Sequence, residues 1–534
     1  MKRLFVTTVL LVLCIITVLG CAPAAKQTPP ASQPPTTATT AKPVTPATPA
    51  APTPQTGGTL KIILPSGSIA TLGAPHEAGN PRTNIQVCEP LLWCDNNFRV
   101  YPELAEAYTV APDGKSFTFN LRKGIKFQDG TDLNAEAVKF NFESWASVPA
   151  GKSYLTRAVS YDVIDEYTFR LTLKAYDAQL LLQLCLGLGE MASPTAIKKQ
   201  TTTENMAKDH LVGTGPFKFV SWQRNVNVKY QKFDGYWRKG KPYLDAMEII
   251  EISDPTTALM AFKKGEGQVI FKISPRDARD LETQGYKIQL ADLTAFFYLV
   301  PDAGNKDSPF ADIRVREAVE RAIDKDAIAK AIGQGYFKSV YQFATPTEAR
   351  YVSGLAPRSF DQAKAKQLLT AAGYPNGFST TITTTPSFDK DVLVAIQTYL
   401  KEVGINVTLD IADTSRFNNI EINGWKNGML ITSTPITADL ASMNRRFAVN
   451  PTYHFSMLRP PVFMEKLSAA LEQPDYDKRF AQYKELIKII YDENMAIPLY
   501  ENADISALDK KVNDLAWTQG HPFLSRPWDA WLSK

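Results

Sequence analysis

Beyond residue 57 the chain carries two hydrophobic periods that alternate along its length. Phe117, Phe119 and Leu121, and later Phe169, Leu171 and Leu173, fall at every second position, the mark of strands with one buried face. Pro112-Asp113-Gly114 just before the first is a turn signal, so antiparallel pairing is expected around it. Elsewhere the period is helical. After Asp312, a single face collects Val315, Val319, Ala322 and Ile323, and a second helix should run from Asp324 to Gly333 or Gly335. Asp361 caps a third, with Ala365, Leu368, Leu369 and Ala372 inward and Gly373 and Pro375 to stop it. A helix over 392–403 leads into a strand over 405–411. The stripe Phe480, Tyr483, Ile487 and Ile490 leads into a strand over 496–500. Strands and helices in alternation predict an α/β chain whose sheet is flanked by helices. The apolar run 180–191, broken by Gly187 and Gly189, reads as a buried helix and is too short to span a bilayer.

The first 56 residues follow neither period. Lys2 and Arg3 precede a short apolar run, 4–19, and Gly20-Cys21 close it. A basic start, an apolar stretch shorter than the ~20 residues of a spanning helix, a small residue and then a cysteine form a bacterial lipoprotein signal. The expectation is that residues 1–20 are removed and that Cys21 carries lipid, which tethers the protein to a membrane outside the cytoplasm. Residues 21–56 are nearly all Ala, Pro, Thr, Ser and Gln, with Val44 the one large aliphatic. Such a segment buries too little apolar area to offset the ordering of its backbone, and its prolines favour extended, semi-stiff chain. It reads as a disordered tether that holds a folded body off the bilayer.

About 480 residues follow that tether, more than one core normally serves, so two or three lobes are expected. Apolar content of 44% and charged content of 21% fit a soluble globule. A net charge of +4, with no basic stripe interleaved with aromatics, argues against a nucleic-acid partner. Cys88 and Cys94 lie on what reads as one extended segment, 87–95. That holds them ~20 Å apart, beyond the ~7 Å Cα separation a disulfide tolerates. With Cys185 they are expected as buried thiols.

Catalytic constellations are scarce. There is no G-x-S-x-G elbow, no phosphate-binding P-loop and no dinucleotide fingerprint in the right context. His76, His210, His454 and His521 are scattered without ligand spacing. The carboxylate pairs Asp302/Asp307 and Asp475/Asp477 read as solvated groups in loops and caps. No enzyme, no metal and no cofactor is expected.

Ordered blocks along the chain carry more. Glu89-Pro90-Leu91-Leu92-Trp93 leads through Pro102-Glu103-Leu104-Ala105 to Leu121-Arg122-Lys123-Gly124-Ile125 and Asp129-Gly130. Gly213-Thr214-Gly215-Pro216-Phe217 precedes Gly235-Tyr236-Trp237-Arg238-Lys239-Gly240-Lys241-Pro242-Tyr243. Ile313-Arg314-Val315-Arg316-Glu317-Ala318, Gly373-Tyr374-Pro375-Asn376-Gly377-Phe378 and Ile497-Pro498-Leu499-Tyr500 follow in turn. Physically these are architectural: Gly213 and Gly215 suit a backbone that turns where two segments approach closely. In content and order the series strongly resembles the solute-binding proteins of ABC importers for peptides and nickel, the large family 5 class.

That resemblance implies an α/β, periplasmic-binding-protein-like two-lobed fold of class II with an extra inserted subdomain. It places lobe I in 57–86, 207–296 and 497–534, the inserted subdomain in 87–206 and lobe II in 297–496. A small-molecule or peptide ligand then sits between lobes that close by hinge motion, the closed form meets an ABC permease and its ATPase, and no covalent step occurs. A monomer is the family's habit. The alternative is a lipid-tethered surface sensor, adhesin or chaperone that uses the same scaffold without transport.

For the ligand, the resemblance and the residues diverge. Peptide-binding members hold the ligand's α-amino group with an acidic side chain just after the strand that corresponds to 429–434. Here that stretch reads Thr432-Ser433-Thr434-Pro435-Ile436-Thr437-Ala438-Asp439, with hydroxyls where the acid would stand and only a displaced Asp439. The arginine of dipeptide-type members is likewise missing from Pro386-Ser387-Phe388-Asp389. Both departures argue against an ordinary free peptide, because a buried terminal charge without a partner is costly. The expected lining is hydroxyl- and aromatic-rich: Ser66, Ser68 and His76 from the first lobe, and Phe388, Thr432, Ser433, Thr434, Asp439 and Tyr453 from the second. It suits a neutral or weakly charged solute as well as a peptide.

Overall fold

The computed structural model describes residues 53–64, 69, 71–78, 81–95, 97, 99–202, 205–435, 447, 453–516 and 526–534. Contacts divide the chain into Met1–Thr53 and a compact unit Pro54–Lys534, and the description that follows concerns the second. The signal, Cys21 and the tether up to residue 52 lie outside the described residues, as do Ser66, Ser68 and Asp439.

An eleven-stranded mixed sheet runs through the unit. In chain order its strands are β1 (Thr59–Leu64), β2 (Phe217–Gln223), β3 (Asn227–Lys232), β4 (Ala246–Glu251), β5 (Val269–Ile273) and β6 (Lys287–Pro301), then β7 (Lys338–Ser339), β8 (Phe378–Thr384), β9 (Ile405–Ile411), β10 (Gly428–Pro435) and β11 (Ile497–Leu508). Their spatial order is β9-β8-β10-β6-β11-β5-β1-β4-β3-β2, with β7 paired to β11. β1 runs parallel to β4 and β5, and its Leu60, Ile62, Ile63 and Leu64 are all buried, as a central strand covered on both faces requires.

β6 and β11 belong to both ends of this sheet. Leu508 to Ile505 of β11 pair with β5, whereas Glu501 and Tyr500 pair with β7 and the later half of β6. Between Leu290 and Thr294 the β6–β11 register slips. An unpaired insertion of this kind bends a strand and increases its twist.

A separate four-stranded antiparallel sheet is built from Ala105–Val110, Ser116–Leu121, Thr168–Leu173 and Ala158–Asp165. The expected period-2 strands pair directly, Phe117 opposite Leu171 and Phe119 opposite Phe169. Helix Ala135–Ser147, capped by the Asn134 side chain, covers one face and brings Phe142 to 5.1 Å from the Phe169 ring. Gly213 and Gly215 behave as read: a Cβ on either would sit 2.1 or 2.7 Å from the Val87 carbonyl oxygen.

The helices flanking the second half of the sheet follow the sequence closely. Ile313–Ala322, Lys325–Gly333 and Gln362–Ala371 start at Asp312, Asp324 and Asp361, each of which accepts a backbone N–H of the first turn. Helix Tyr476–Asp492 buries Phe480, Tyr483, Ile487 and Ile490. Three expectations need correction. The run 180–191 is not one helix: Ala178–Gln183 ends before a 3-10 turn at Gly187–Gly189, and Glu190 then pairs with Pro90 as an isolated bridge. Only Leu92–Cys94 of 87–95 is strand, although Cys88, Cys94 and Cys185 are free and buried as expected. Asp302 is not solvated. It is fully buried, accepts the Asn427 N–H at 2.7 Å and also accepts from the Asn305 amide. Among the described residues no helix is long and apolar enough to cross a membrane.

Candidate functional site

Pairing register sorts the candidate residues on β10. Ser433 lies opposite Phe297 of β6, which lies opposite Tyr500 of β11. One residue along, Thr434 takes the register position opposite Phe296, which lies opposite Glu501 and, beyond it, Lys338 of β7. Successive residues of a strand face opposite sides, so these two rows belong to opposite faces of the sheet. Thr432, opposite Tyr298, belongs with Phe296 and Glu501; Ser433 belongs with Phe297 and Tyr500. The Thr432-Ser433-Thr434 run therefore does not present three hydroxyls to one place, as a continuous polar lining would require.

Phe388 joins the Ser433 face. Its ring meets Phe297 edge-on at 5.5 Å, and Phe297 stacks on Tyr500 at 4.7 Å, with Phe337 beyond. Phe388 is 8% exposed and packs with Val392, Leu393 and Ile396 of the following helix. This places it under the strand ends as support, with little ring face left over. Tyr453 is half-buried, and its carbonyl accepts from Arg459 Nη2 at 3.3 Å. The next residue, His454, is structural: it is fully buried, with Nε2 3.0 Å from Glu421 Oε1 and its ring edge-on to Tyr298 and Trp425.

His76 lies in the first half, half-buried in a short turn of helix, edge-on to Trp145 at 6.5 Å. Burial pushes its pKa down, the Glu77 carboxylate opposes that, and His210 adds to it. Glu77 Oε1 is 2.7 Å from His210 Nδ1, and His210 Nε2 is 2.9 Å from the Lys199 carbonyl. Two histidines and a carboxylate thus cluster here, which sequence spacing alone did not reveal. Among the described residues no group of three His, Cys, Asp or Glu is placed to hold a metal.

The motif blocks find their use at the base of the inserted sheet. Glu89 is fully buried and accepts from Thr214 Oγ1 at 2.9 Å, Tyr236 OH at 2.6 Å and Trp237 Nε1 at 2.8 Å. Arg238 pairs with Glu103, and Gln128 donates to the carbonyls of Gly215 and Phe217. Burial, with the nearby Glu103, raises the Glu89 carboxyl to about 7 despite those three donors. These residues rivet the four-stranded sheet to the large one. Their work is architectural.

Residues 99–444 match the family model described as bacterial extracellular solute-binding proteins, family 5, middle region. The chain belongs to this family. Over 477 residues it is 31% identical to the glutathione-binding protein GsiB of Salmonella choleraesuis (strain SC-B67), covering 84% of this chain and 91% of that one. Among solved structures it is similar to NikA from Brucella suis in complex with Fe(III)-EDTA, with a TM-score of 0.78 at 23% identity over 89% of this chain and all of that one. It is also similar to DppA from Helicobacter pylori in complex with the peptide STSA, with a TM-score of 0.70 at 24% identity over 90% and 99% of the two chains. This family 5 protein accordingly has the α/β, two-lobed periplasmic-binding-protein fold. It is an extracytoplasmic solute-binding receptor that works with an ABC permease and ATPase, and it is not an enzyme.

Proposed function

We propose that this family 5 receptor captures a small peptide-like solute between two lobes, 57–86 with 207–296 and 497–534 on one side and 297–496 on the other, with 87–206 inserted in the first. The observation that carries this reading is the pair of strands β6 and β11, which serve both halves of the sheet and slip register between Leu290 and Thr294. Two strands shared by the halves and broken in register favour a hinge there, and a hinge lets a ligand bias closure by its differential affinity for the closed form. Half-exposed Thr432 and Ser433 stand near that bend and offer hydroxyls to a polar guest.

Likeness to a glutathione-binding relative favours the peptide-like class, since glutathione is itself a tripeptide. The Gly20-Cys21 signal and the proline-rich tether support a lipid anchor on the outer side of a membrane, with a monomeric body free to reorient and to deliver its guest to the permease. Native mass spectrometry of the purified protein, followed by small-angle scattering with and without the co-purified compound, tests the reading. One small molecule per chain, recovered unchanged, with a smaller radius of gyration in the bound form, is the expected result. Steady conversion of the compound, or binding without compaction, refutes it.

A further inference from the structure

Two of the buried thiols meet beside the inserted sheet. The segment 89–91 runs antiparallel to 189–191: Pro90 pairs with Glu190, the Leu91 N–H donates to the Gly189 carbonyl at 2.9 Å, and the Met191 N–H donates to the Glu89 carbonyl at 3.0 Å. Cys94 follows the first segment and Cys185 precedes the second, so this antiparallel course carries the two cysteines towards each other. They arrive side by side. Both are 0% exposed and belong to the core packed around Phe119, Phe142 and Phe169. Cys185 lies within hydrogen-bonding reach of Cys94, whereas its contact with the Leu181 carbonyl of its own helical turn is long, at 3.9 Å. Cys88 is set apart from this pair: the groups that act on its thiol are Glu190 and Glu89.

Position in the chain gives the contact its weight. All four strands of the inserted sheet, and the helix Ala135–Ser147 that covers it, lie between the two cysteines. A covalent bond here closes a loop of about 90 residues, and in the chain-entropy account stabilisation grows with the loop closed. The compartment favours the bond as well, because outside the cytoplasm neighbouring thiols are oxidised and their disulfides persist.

We propose that Cys94 and Cys185 are joined by a disulfide in the extracytoplasmic protein, and that this bond staples the two chain segments enclosing the inserted sheet. The bond forms by exchange. The Cys94 thiolate attacks the disulfide of a dithiol–disulfide oxidant to give a mixed disulfide, and the Cys185 thiolate then displaces the oxidant. One S–S bond is made for one broken; the oxidant takes both electrons and, with the two thiol protons, leaves as a dithiol. Burial, and after it the Cys94 contact, pushes the Cys185 thiol well above its ordinary pKa, so thiolate is scarce in the folded chain. The exchange therefore belongs to the open chain during folding, and the closed core then shields its product from reductants.

The test uses the full chain isolated from the extracytoplasmic fraction, unfolded in urea and alkylated before and after reduction. Peptide mass spectrometry should find Cys94 and Cys185 in one linked pair of peptides, lighter by two hydrogens than the free thiols and labelled only after reduction. Cys88 should take label at once, which checks access. Protein reduced in urea and refolded under reductant should melt roughly 3–10 °C below the oxidised form, the order expected for a long closed loop. Cys94→Ala should melt at one temperature with and without reductant. Label on Cys94 and Cys185 before reduction overturns the proposal, as does a link from either of them to Cys88. A linked pair whose reduction leaves the melting temperature unmoved overturns the staple.

Discussion

Single residues at the base of the inserted sheet carry effects that burial and charge make measurable. Gly213 has an ordinary φ, yet a Cβ there would lie 2.1 Å from the backbone oxygen of Val87, which cannot swing aside. Gly124 is the converse, with φ +79° and nothing within 4 Å of a Cβ. Gly213→Ala should cost roughly 2–3 kcal/mol by overpacking, and Gly124→Ala only about 1 kcal/mol of backbone strain, a ranking readable from urea midpoints. Glu190 gives a prediction of the opposite kind. Burial alone raises its carboxyl to about 8 from an ordinary 4.5, and one of its oxygens has no partner. Between those values the folded chain holds a proton that the unfolded chain has released. Its contribution to stability is therefore complete below pH 4.5 and is lost as pH rises through about 8, at about 1.4 kcal/mol per pH unit. Glu190→Gln stays neutral throughout. Its melting temperature relative to native protein should climb steadily as pH is raised across that window; a constant gap would show that Glu190 is ionised in the fold.

At the scale of elements, the helix Tyr476–Asp492 separates local from tertiary stabilisation. Asp475 caps it by accepting the Lys478 N–H at 2.9 Å, and Ile487 is fully buried on its inner face. Asp475→Ala should cost about 1 kcal/mol and Ile487→Ala about 2–5 kcal/mol, with unchanged m-values in urea. The same two signals made this helix legible in the sequence. Caps at Asp312, Asp324 and Asp361, and apolar spacing behind them, are local chemistry, and local chemistry can be read from one chain. β11 was legible only at its start, because its extension to Leu508 depends on partners in β5 and β6 far away in sequence. Asp302 was misread for the same reason: the Asn427 N–H that satisfies it is 125 positions off. Of the candidate site, the strand that carries Thr432 and Ser433 was found, but their division between two faces follows from register. Phe297 was missed because its partners, Phe388 and Tyr500, lie far away in sequence.

For the whole molecule, under the lobe division proposed above, the inserted sheet meets the second lobe at a seam that opening at the β6–β11 register slip would disturb. Arg99 lies 4.3 Å over the Tyr476 ring, and its Nη2 is 3.3 Å from Asp477. Tyr476 donates its hydroxyl to the Asn97 carbonyl at 2.8 Å, and the Asn97 side chain accepts the Ala349 N–H at 3.2 Å. Arg479 reaches Tyr176, and Arg157 reaches Glu472 at 3.4 Å. The seam is loosely packed, with a hollow of ≈ 360 Å³ lined by Asp95, Arg99, Tyr476 and Lys484. Contacts of this sort part without unfolding either side. Each is weak: an exposed ion pair contributes about 0–1 kcal/mol and an exposed cation–π contact about 0.5–1 kcal/mol. A hinge, however, responds to small biases, because apparent affinity scales with the fraction of molecules in the competent state. Removing Arg99 should therefore shift the open–closed balance by about fivefold to thirtyfold, the equivalent of ~1–2 kcal/mol. Arg99→Ala and Tyr476→Phe should enlarge the ligand-free radius of gyration and speed release of whatever compound co-purifies. High salt should reproduce much of the Arg99 effect, since the ion pair is exposed to screening. Scattering curves and release rates indistinguishable from native would mean that the seam is a passive contact and that closure is set at the bend alone.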